Sequence, residues 1–416
     1  MRQSDASIPP GIPDWQALEE LMAAARRNPG EFRTPAALAA AAGLTPQGLE
    51  AAFLRHVHAR PEAFLEAARV DAACRHLLDA FGPPERAGEA CGFFGTAAFR
   101  AAFRRHTGMT PARYQALGQG EPAFTLDLPA GYRIEDVLAY HGRDPLSHSE
   151  RVDGGRLLKA FRVDGADVAV DLAFGGQAVK VRLHGGGPAD PVRMGRVHRR
   201  VVRMLGLASD PGPFEAFTAA HPAFRDLVAP RSGLRIPLTA DVWECLVWAI
   251  LGQQVNLAFA YTLRRRLTEA CGGEAPFGLR AHPGPRAVAA LDPAVLAPLQ
   301  FSRGKAAYLV AAARETAAGR LPLEALPAGT ATGAEARLRA QKGVGPWTAH
   351  YVLMRGCGFQ DCVPLGDAGL TAALQRHHAL DHRPGPAETA GLMAPYAPHR
   401  SLATFHLWAS LKGVPA

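Results

Sequence analysis

The chain of 416 residues has no uninterrupted apolar run of about 18 residues, the length a helix needs to cross a bilayer. Met1-Arg2-Gln3-Ser4-Asp5 also lacks the apolar core of a secretory signal. A cytoplasmic protein with no membrane partner is therefore expected. Cysteine is scarce. The six (Cys74, Cys91, Cys245, Cys271, Cys357, Cys362) never stand in Cys-x-x-Cys spacing, so neither a zinc site nor a disulfide frame is expected. No metal ligands are assigned. Acidic residues are outnumbered, 38 against 46 lysines and arginines, and the formal charge of +8 suits a polyanionic partner without specifying one. The length allows two to four domains, each large enough for its own core.

The most informative stretch is Leu338-Arg-Ala-Gln-Lys342-Gly343-Val344-Gly345-Pro346-Trp347-Thr-Ala-His-Tyr351, with Asp367 sixteen residues beyond Tyr351. Glu335 to Gln341 is expected to be a short helix of good helix formers. Gly343 and Gly345 permit a tight hairpin with exposed N–H groups, and Pro346 suits the first position of a second helix. Such a turn can cradle a phosphate, with Lys342 adding a charge. An ordinary turn between two helices would carry the same glycines.

With the segment Val363-Pro-Leu-Gly-Asp367-Ala-Gly-Leu370, this stretch resembles the helix-hairpin-helix DNA glycosylase superfamily, and within it the AlkA-type 3-methyladenine DNA glycosylases. The resemblance implies that Lys342, Gly343, Val344 and Gly345 grip the DNA backbone and that Asp367 is the catalytic residue. Branches that also cut the strand place a Schiff-base lysine directly after the hairpin; Trp347 stands there, which implies base removal without a lyase step. No cysteine follows Cys362, so the iron–sulfur cluster of some relatives is not expected. The resemblance implies no cofactor, with room at most for a monovalent cation at the hairpin. Arg400-Ser-Leu-Ala-Thr-Phe-His-Leu-Trp408 resembles the last core helix of the family, so Trp347, Tyr351 and Trp408 are implied to surround an extruded base. Ala249-Ile-Leu-Gly-Gln-Gln254-Val255 resembles the segment that enters the duplex, with Gln254 at the wedge position where leucine is usual. A polar kink between two core helices is the alternative there.

Residues 14 to about 118 read as all helix. Thr34-Pro35 and Thr45-Pro46 begin two helices around Gly43, with Leu49 and Phe53 on one face of the second. A similar unit recurs from Glu85 through Gly92 and Thr96, with Phe99 and Phe103 at the same spacing, and Arg69 to Ala80 connects the two. Closing on Gly108-Met-Thr-Pro111-Ala-Arg-Tyr114, the pair resembles the double helix-turn-helix domain of AraC-type regulators. The implied recognition helices are Pro46–Arg55 and Thr96–Arg105. The second carries Arg100, Arg104 and Arg105 without an acidic residue, a surface for DNA or simply a solvated basic face. No cysteine precedes Cys74, so the cysteine-rich methyl-acceptor segment of Ada/AlkA-like adaptive-response proteins is absent from the expectation.

Beyond Gln119-Gly-Glu-Pro122 the pattern alternates. Leu157–Val163, Val168–Leu172 and Ala178–Leu183 are expected as an antiparallel meander turned at Asp164-Gly165 and Gly175-Gly176, with Phe124–Leu128 at its edge and Ile134–His141 as a helix. This part resembles the N-terminal α+β domain of AlkA-type enzymes and is expected only to scaffold. Asp241-Val-Trp-Glu244 is a capping box for a buried helix. The expected architecture is mainly α with a small α+β domain: residues 1–120 a double helix-turn-helix, 121–190 the antiparallel-sheet domain, 191–416 an all-α helix-hairpin-helix glycosylase core. The expected function is a monofunctional DNA glycosylase acting on double-stranded DNA with alkylated purines, its N-terminal part binding promoter DNA. The alternative is a transcription regulator whose glycosylase half is an inactive damage sensor.

Overall fold

The computed structural model describes residues 14–79 and 82–411, and its fold is mainly α with one small antiparallel sheet. The helix starts follow their caps. Thr34 and Thr45 accept from the amides of Ala37 and Gly48, opening Pro35–Ala41 and Pro46–His56. The connecting helix runs Pro61–Asp79, and Ala80 lies outside the described residues. The helix expected to be the second recognition helix spans Thr96–Thr107 and ends at left-handed Gly108. Leu49, Phe53, Phe99 and Phe103 are all buried, as their four-residue spacing requires.

The sheet has five strands: β1 Ala123–Asp127, β2 Glu150–Asp153, β3 Arg156–Val163, β4 Ala166–Gly175 and β5 Ala178–His184. Their order is β1-β5-β4-β3-β2, all antiparallel. The turn between β3 and β4 has positive φ at both Asp164 and Gly165, the geometry that matches strand twist in a two-residue hairpin. β2 is absent from the sequence pattern because Glu-Arg-Val-Asp is short and largely polar. Ile134–His141 is helical as expected, between β1 and β2.

Two packing features place the site. One core joins the second helix-turn-helix unit to the sheet: Phe99, Phe103 and Tyr114 pack in the same cluster as Leu126, Val170, Val181 and Val201. The first unit docks instead on Ala331–Arg339, the helix that leads into the hairpin. There Glu19 accepts from the Thr330 amide at 3.0 Å and from both terminal nitrogens of Arg337, at 2.9 and 2.6 Å. Trp15 lies under the same guanidinium, and His56 Nδ1 meets Thr332 Oγ1 at 2.9 Å.

The sheet and the C-terminal helical core are joined by a buried square of charge. Lys159 donates to Glu150 at 3.2 Å and to Glu244 at 2.8 Å; Arg264 donates to the same two carboxylates, at 2.8 and 2.7 Å. His141 Nδ1 is 3.3 Å from Glu150. All five are buried. Only half of the expected capping box forms: Asp241 accepts from the Glu244 amide, while the Glu244 side chain turns away into this square. Among the described residues, no helix is long and apolar enough to cross a membrane.

Candidate active site and nucleic-acid interface

Helix Ala331–Arg339 ends at the hairpin, and Pro346–Val352 follows with Gly345 as its cap. Gly343 has φ of 85°, and a Cβ there would overlap the Tyr308 ring, so only glycine fits. Lys342 and Gly345 are exposed, while Val344 is buried. Directly after Pro346–Val352 the chain widens into a π-helical turn, Leu353–Cys357, a local irregularity that frequently accompanies function.

Asp367 caps helix Ala368–His377 and is only half-buried. One carboxylate oxygen accepts from the Leu370 amide at 2.7 Å and from Trp408 Nε1 at 2.9 Å; the other accepts from Trp347 Nε1 at 3.1 Å. Two indoles and a backbone amide thus fix its orientation, and they leave the acceptor a side open to the cavity it lines. Tyr351 stacks on Trp347 with centroids 5.5 Å apart, and Trp408 lies 6.2 Å from Tyr351. The structure therefore brings Asp367, Trp347, Tyr351 and Trp408 together at one cavity of about 1370 Å³.

Sequence reasoning missed half of that cavity's wall. Trp248 donates to the Tyr351 hydroxyl at 2.9 Å and packs on Tyr261 at 5.0 Å. Tyr140 and Arg143 enter from the sheet domain, and Arg355 from the π-helical turn. The expectation that the sheet domain only scaffolds is corrected here, because Tyr140 of its helix and Arg143 just beyond the helix end both line the cavity. Tyr140 stands one residue before the end of helix Ile134–His141, and no local pattern distinguishes it from a packing residue.

Gln254 is exposed at the cavity rim, on the loop between helices Val242–Gly252 and Leu257–Cys271, with φ of +54°. Its neighbour Gln253 ties this loop to the hairpin, donating to the Gly343 carbonyl at 2.8 Å and to Thr348 Oγ1 at 2.9 Å. Lys305 donates to the Leu251 carbonyl at 2.8 Å and to that of Gln253, satisfying the end of the preceding helix. The loop that carries Gln254 and the hairpin are thereby one unit.

The arginines at 100, 104 and 105 lie far along the chain from this unit and are exposed. Each meets an acid from a different element: Arg100 with Glu85, Arg105 with Glu66, and Arg104 with Asp127 of β1 at 3.1 Å. Such exposed pairs are worth about 0–1 kcal/mol, small enough for a phosphate to displace. The cysteines are all free, and burial pushes the Cys362 and Cys245 thiols well up. Among the described residues, no group of three or more His, Cys, Asp or Glu side chains is placed to hold a metal.

An aromatic cavity with one hydrogen-bonded carboxylate, beside a Gly-x-Gly hairpin between two helices, defines a helix-hairpin-helix protein of base excision. Family models agree: residues 247–398 match the HhH-GPD superfamily of base excision DNA repair proteins, 123–241 the AlkA N-terminal domain, and 38–116 a helix-turn-helix domain. Over 224 residues the chain is 32% identical to a DNA-3-methyladenine glycosylase of Bacillus subtilis, covering 53% of this chain and 74% of that one. It is 30% identical over 431 residues to a probable bifunctional transcriptional activator/DNA repair enzyme AlkA of Mycobacterium tuberculosis, covering 98% and 83%. A solved 3-methyladenine DNA glycosylase from Archaeoglobus fulgidus shares the fold, with a TM-score of 0.62 at 22% identity over 70% of this chain and all of that one. The chain belongs to the AlkA family of DNA-3-methyladenine glycosylases, and it is a DNA glycosylase with an N-terminal AraC-type helix-turn-helix domain.

Proposed function

We propose that the protein removes alkylated purines of the 3-methyladenine and 7-methylguanine type from duplex DNA by hydrolysis, and that Asp367 is the catalytic residue. The observation that carries this is the carboxylate fixed by Trp347 and Trp408 at the wall of the aromatic cavity. An N3- or N7-alkylated purine is a cation, so its glycosidic bond is weak and it leaves as a neutral base without protonation. One carboxylate then suffices, stabilising the developing sugar cation and orienting the attacking water. Trp347, Tyr351 and Trp408 supply the faces on which the base rests, each worth about 0.5–2 kcal/mol for a cation. Flipping the nucleotide costs a few kcal/mol. The Gly343–Gly345 backbone with Lys342, and Gln254 in the vacated space, offset it.

Trp347, not a lysine, follows the hairpin at the position where strand-cutting branches form a Schiff base. The expected product is an intact strand with an abasic site, and borohydride should trap no covalent enzyme–DNA adduct. Trapping in a preparation free of other lyases would overturn the hydrolytic assignment. Retention of Asp367, both tryptophans and the hairpin in one frame favours a working enzyme over an inactive sensor.

Residues 1–120, 121–190 and 191–416 are proposed as the regulator-like, sheet and glycosylase domains. The first is proposed to prefer particular promoter sequences, Arg100 and Arg104 exchanging Glu85 and Asp127 for DNA. Each base contact is worth about 1–3 kcal/mol. Selection from random duplexes with the full chain, near physiological salt, should enrich a motif. Substituting both arginines with alanine should weaken or alter it. An unchanged motif, or none, would reduce the domain to a tether.

A further inference from the structure

The first helix-turn-helix unit has a core of its own. Leu18, Met22, Leu38, Leu49, Phe53 and Phe64 belong to a cluster separate from the two larger cores. What joins this unit to the glycosylase half is largely polar, the make-up of an interface that can open without unfolding either side. Two of its contacts reach the supports of the active site.

The first contact is at Ala331–Arg339, the helix that leads into the hairpin. Thr330 caps it, its hydroxyl accepting from the Gly333 amide at 2.9 Å. That hydroxyl and the Thr330 amide both donate to Glu19, at 3.1 and 3.0 Å. Through Arg337 the same carboxylate also holds the last turn, so one side chain from another unit fixes both ends of the helix. Gly333 lies inside that helix, where glycine is less favourable than alanine. A Cβ on it would stand 2.5 Å from Glu19 Oε1 and 2.6 Å from the Trp15 ring, and a Cβ on Gly329 2.6 Å from Glu19 Oε1. Both glycines clear the space that the docked unit fills.

The second contact is at the segment that leads to Asp367. His58 meets the Phe359 ring at 78°, centroids 5.9 Å apart, and its Nδ1 is 3.8 Å from Cys362 Sγ. The next amide, that of Val363, donates to His350 Nδ1 at 3.2 Å, and the other nitrogen of that imidazole faces Glu335 at 3.6 Å. His350 lies on the second hairpin helix and Glu335 on the first. The segment before Asp367 and both helices are thus tied together where the unit docks. Its expected recognition helix, Pro46–His56, offers DNA little by comparison. Arg55 is its one exposed cation, Glu50 pairs with Arg60 at 3.1 Å, and His56 meets Thr332.

We infer that the first helix-turn-helix unit acts as a clamp on the glycosylase half, with Glu19 against Gly333 holding the hairpin for the DNA backbone and His58 holding the segment that ends at Asp367. This rests on the glycosylase function and the role of Asp367 proposed above. Glu19, Gly333 and His58 stand outside the cavity wall, so they are positioning residues.

The test is single-turnover release of 7-methylguanine from a duplex carrying one such base, by the full chain over a range of enzyme concentrations, alongside hydrogen exchange of residues 340–345. Glu19→Ala should raise the half-saturating concentration by about three- to tenfold with the limiting rate kept, the reach of a mutation acting through packed neighbours. Its amides at 340–345 should exchange faster than those of wild type. Glu19→Gln still accepts from Thr330 and should recover most of the loss. Gly333→Ala, which helix propensity alone would favour, should behave like Glu19→Ala. His58→Asn should lower the limiting rate instead; asparagine tolerates the φ of 59° at this position. A drop in reaction amplitude with unchanged rates would reduce these residues to structural support and overturn the inference. So would Glu19→Ala and Gly333→Ala proteins that match wild type in half-saturation and exchange. A wild type that releases no base would overturn the parent function, and the exchange rates would still decide for or against the clamp.

Discussion

Replacing Asp367 with asparagine is expected to abolish most base excision while leaving the fold and DNA binding in place. Asparagine caps a helix as well as aspartate does, so Ala368–His377 should persist. The amide nitrogen cannot accept, so one of the indole N–H groups of Trp347 and Trp408 loses its partner. More important, the sugar cation loses its counter-charge. A loss on the order of 10²–10³-fold in the single-turnover rate is expected, the scale for removing one preorganised electrostatic partner. Equal excision rates for the two proteins on methylated duplex would remove Asp367 from the mechanism. Unaltered affinity for undamaged duplex would show that the mutant still docks.

The second large effect is expected at the buried charge square. Glu244→Ala leaves Lys159 and Arg264 sharing Glu150 alone, and breaking a buried pair in this way costs about 3–5 kcal/mol. Urea unfolding should show it as a lowered midpoint, and a shift equivalent to less than about 1 kcal/mol would contradict it. Activity should fall too, because Trp248 stands one helical turn after Glu244 and Tyr261 one turn before Arg264. The same square gives the fold an acid limit. Burial alone pushes the Glu244 carboxyl up, but Lys159 and Arg264 reverse this and hold it at about 2, below its ordinary 4.5. A group depressed in the folded state stabilises fully above its unfolded value. Its contribution should therefore be lost as pH falls from about 4.5 toward 2.

How much of the fold and site is legible in the sequence follows from how local each signal is. Thr34, Thr45 and Asp241 announce helix starts within three residues, and Asp164-Gly165 announces a hairpin within two. The glycines of the hairpin and the spacing to Asp367 are equally local, so the carboxylate and three of its aromatic neighbours can be named from the chain alone. The other half of the cavity is tertiary. Tyr140 and Arg143 come from more than 200 residues upstream of Trp347. Trp248 sits in a run so apolar that it reads as core. Arg355 looks like any basic residue at a helix end, and only its burial marks it. The acids that meet Arg100, Arg104 and Arg105 belong to three other elements, so a helix without acids still carries paired charge. Nor does a change of pattern near residue 120 mark a break in packing, since Phe99 and Val181 share one core.

Hydrolysis of the glycosidic bond of alkylated purines in this cavity is the activity on which everything else depends. The direct measurement is to incubate the purified full chain with dimethyl-sulfate-treated duplex, separate the released bases by chromatography, and resolve the strands before and after hot alkali. The expected result is free 3-methyladenine and 7-methylguanine, with strands intact until alkali cleaves them at the abasic sites. Folded protein that binds the duplex and releases no base would contradict it.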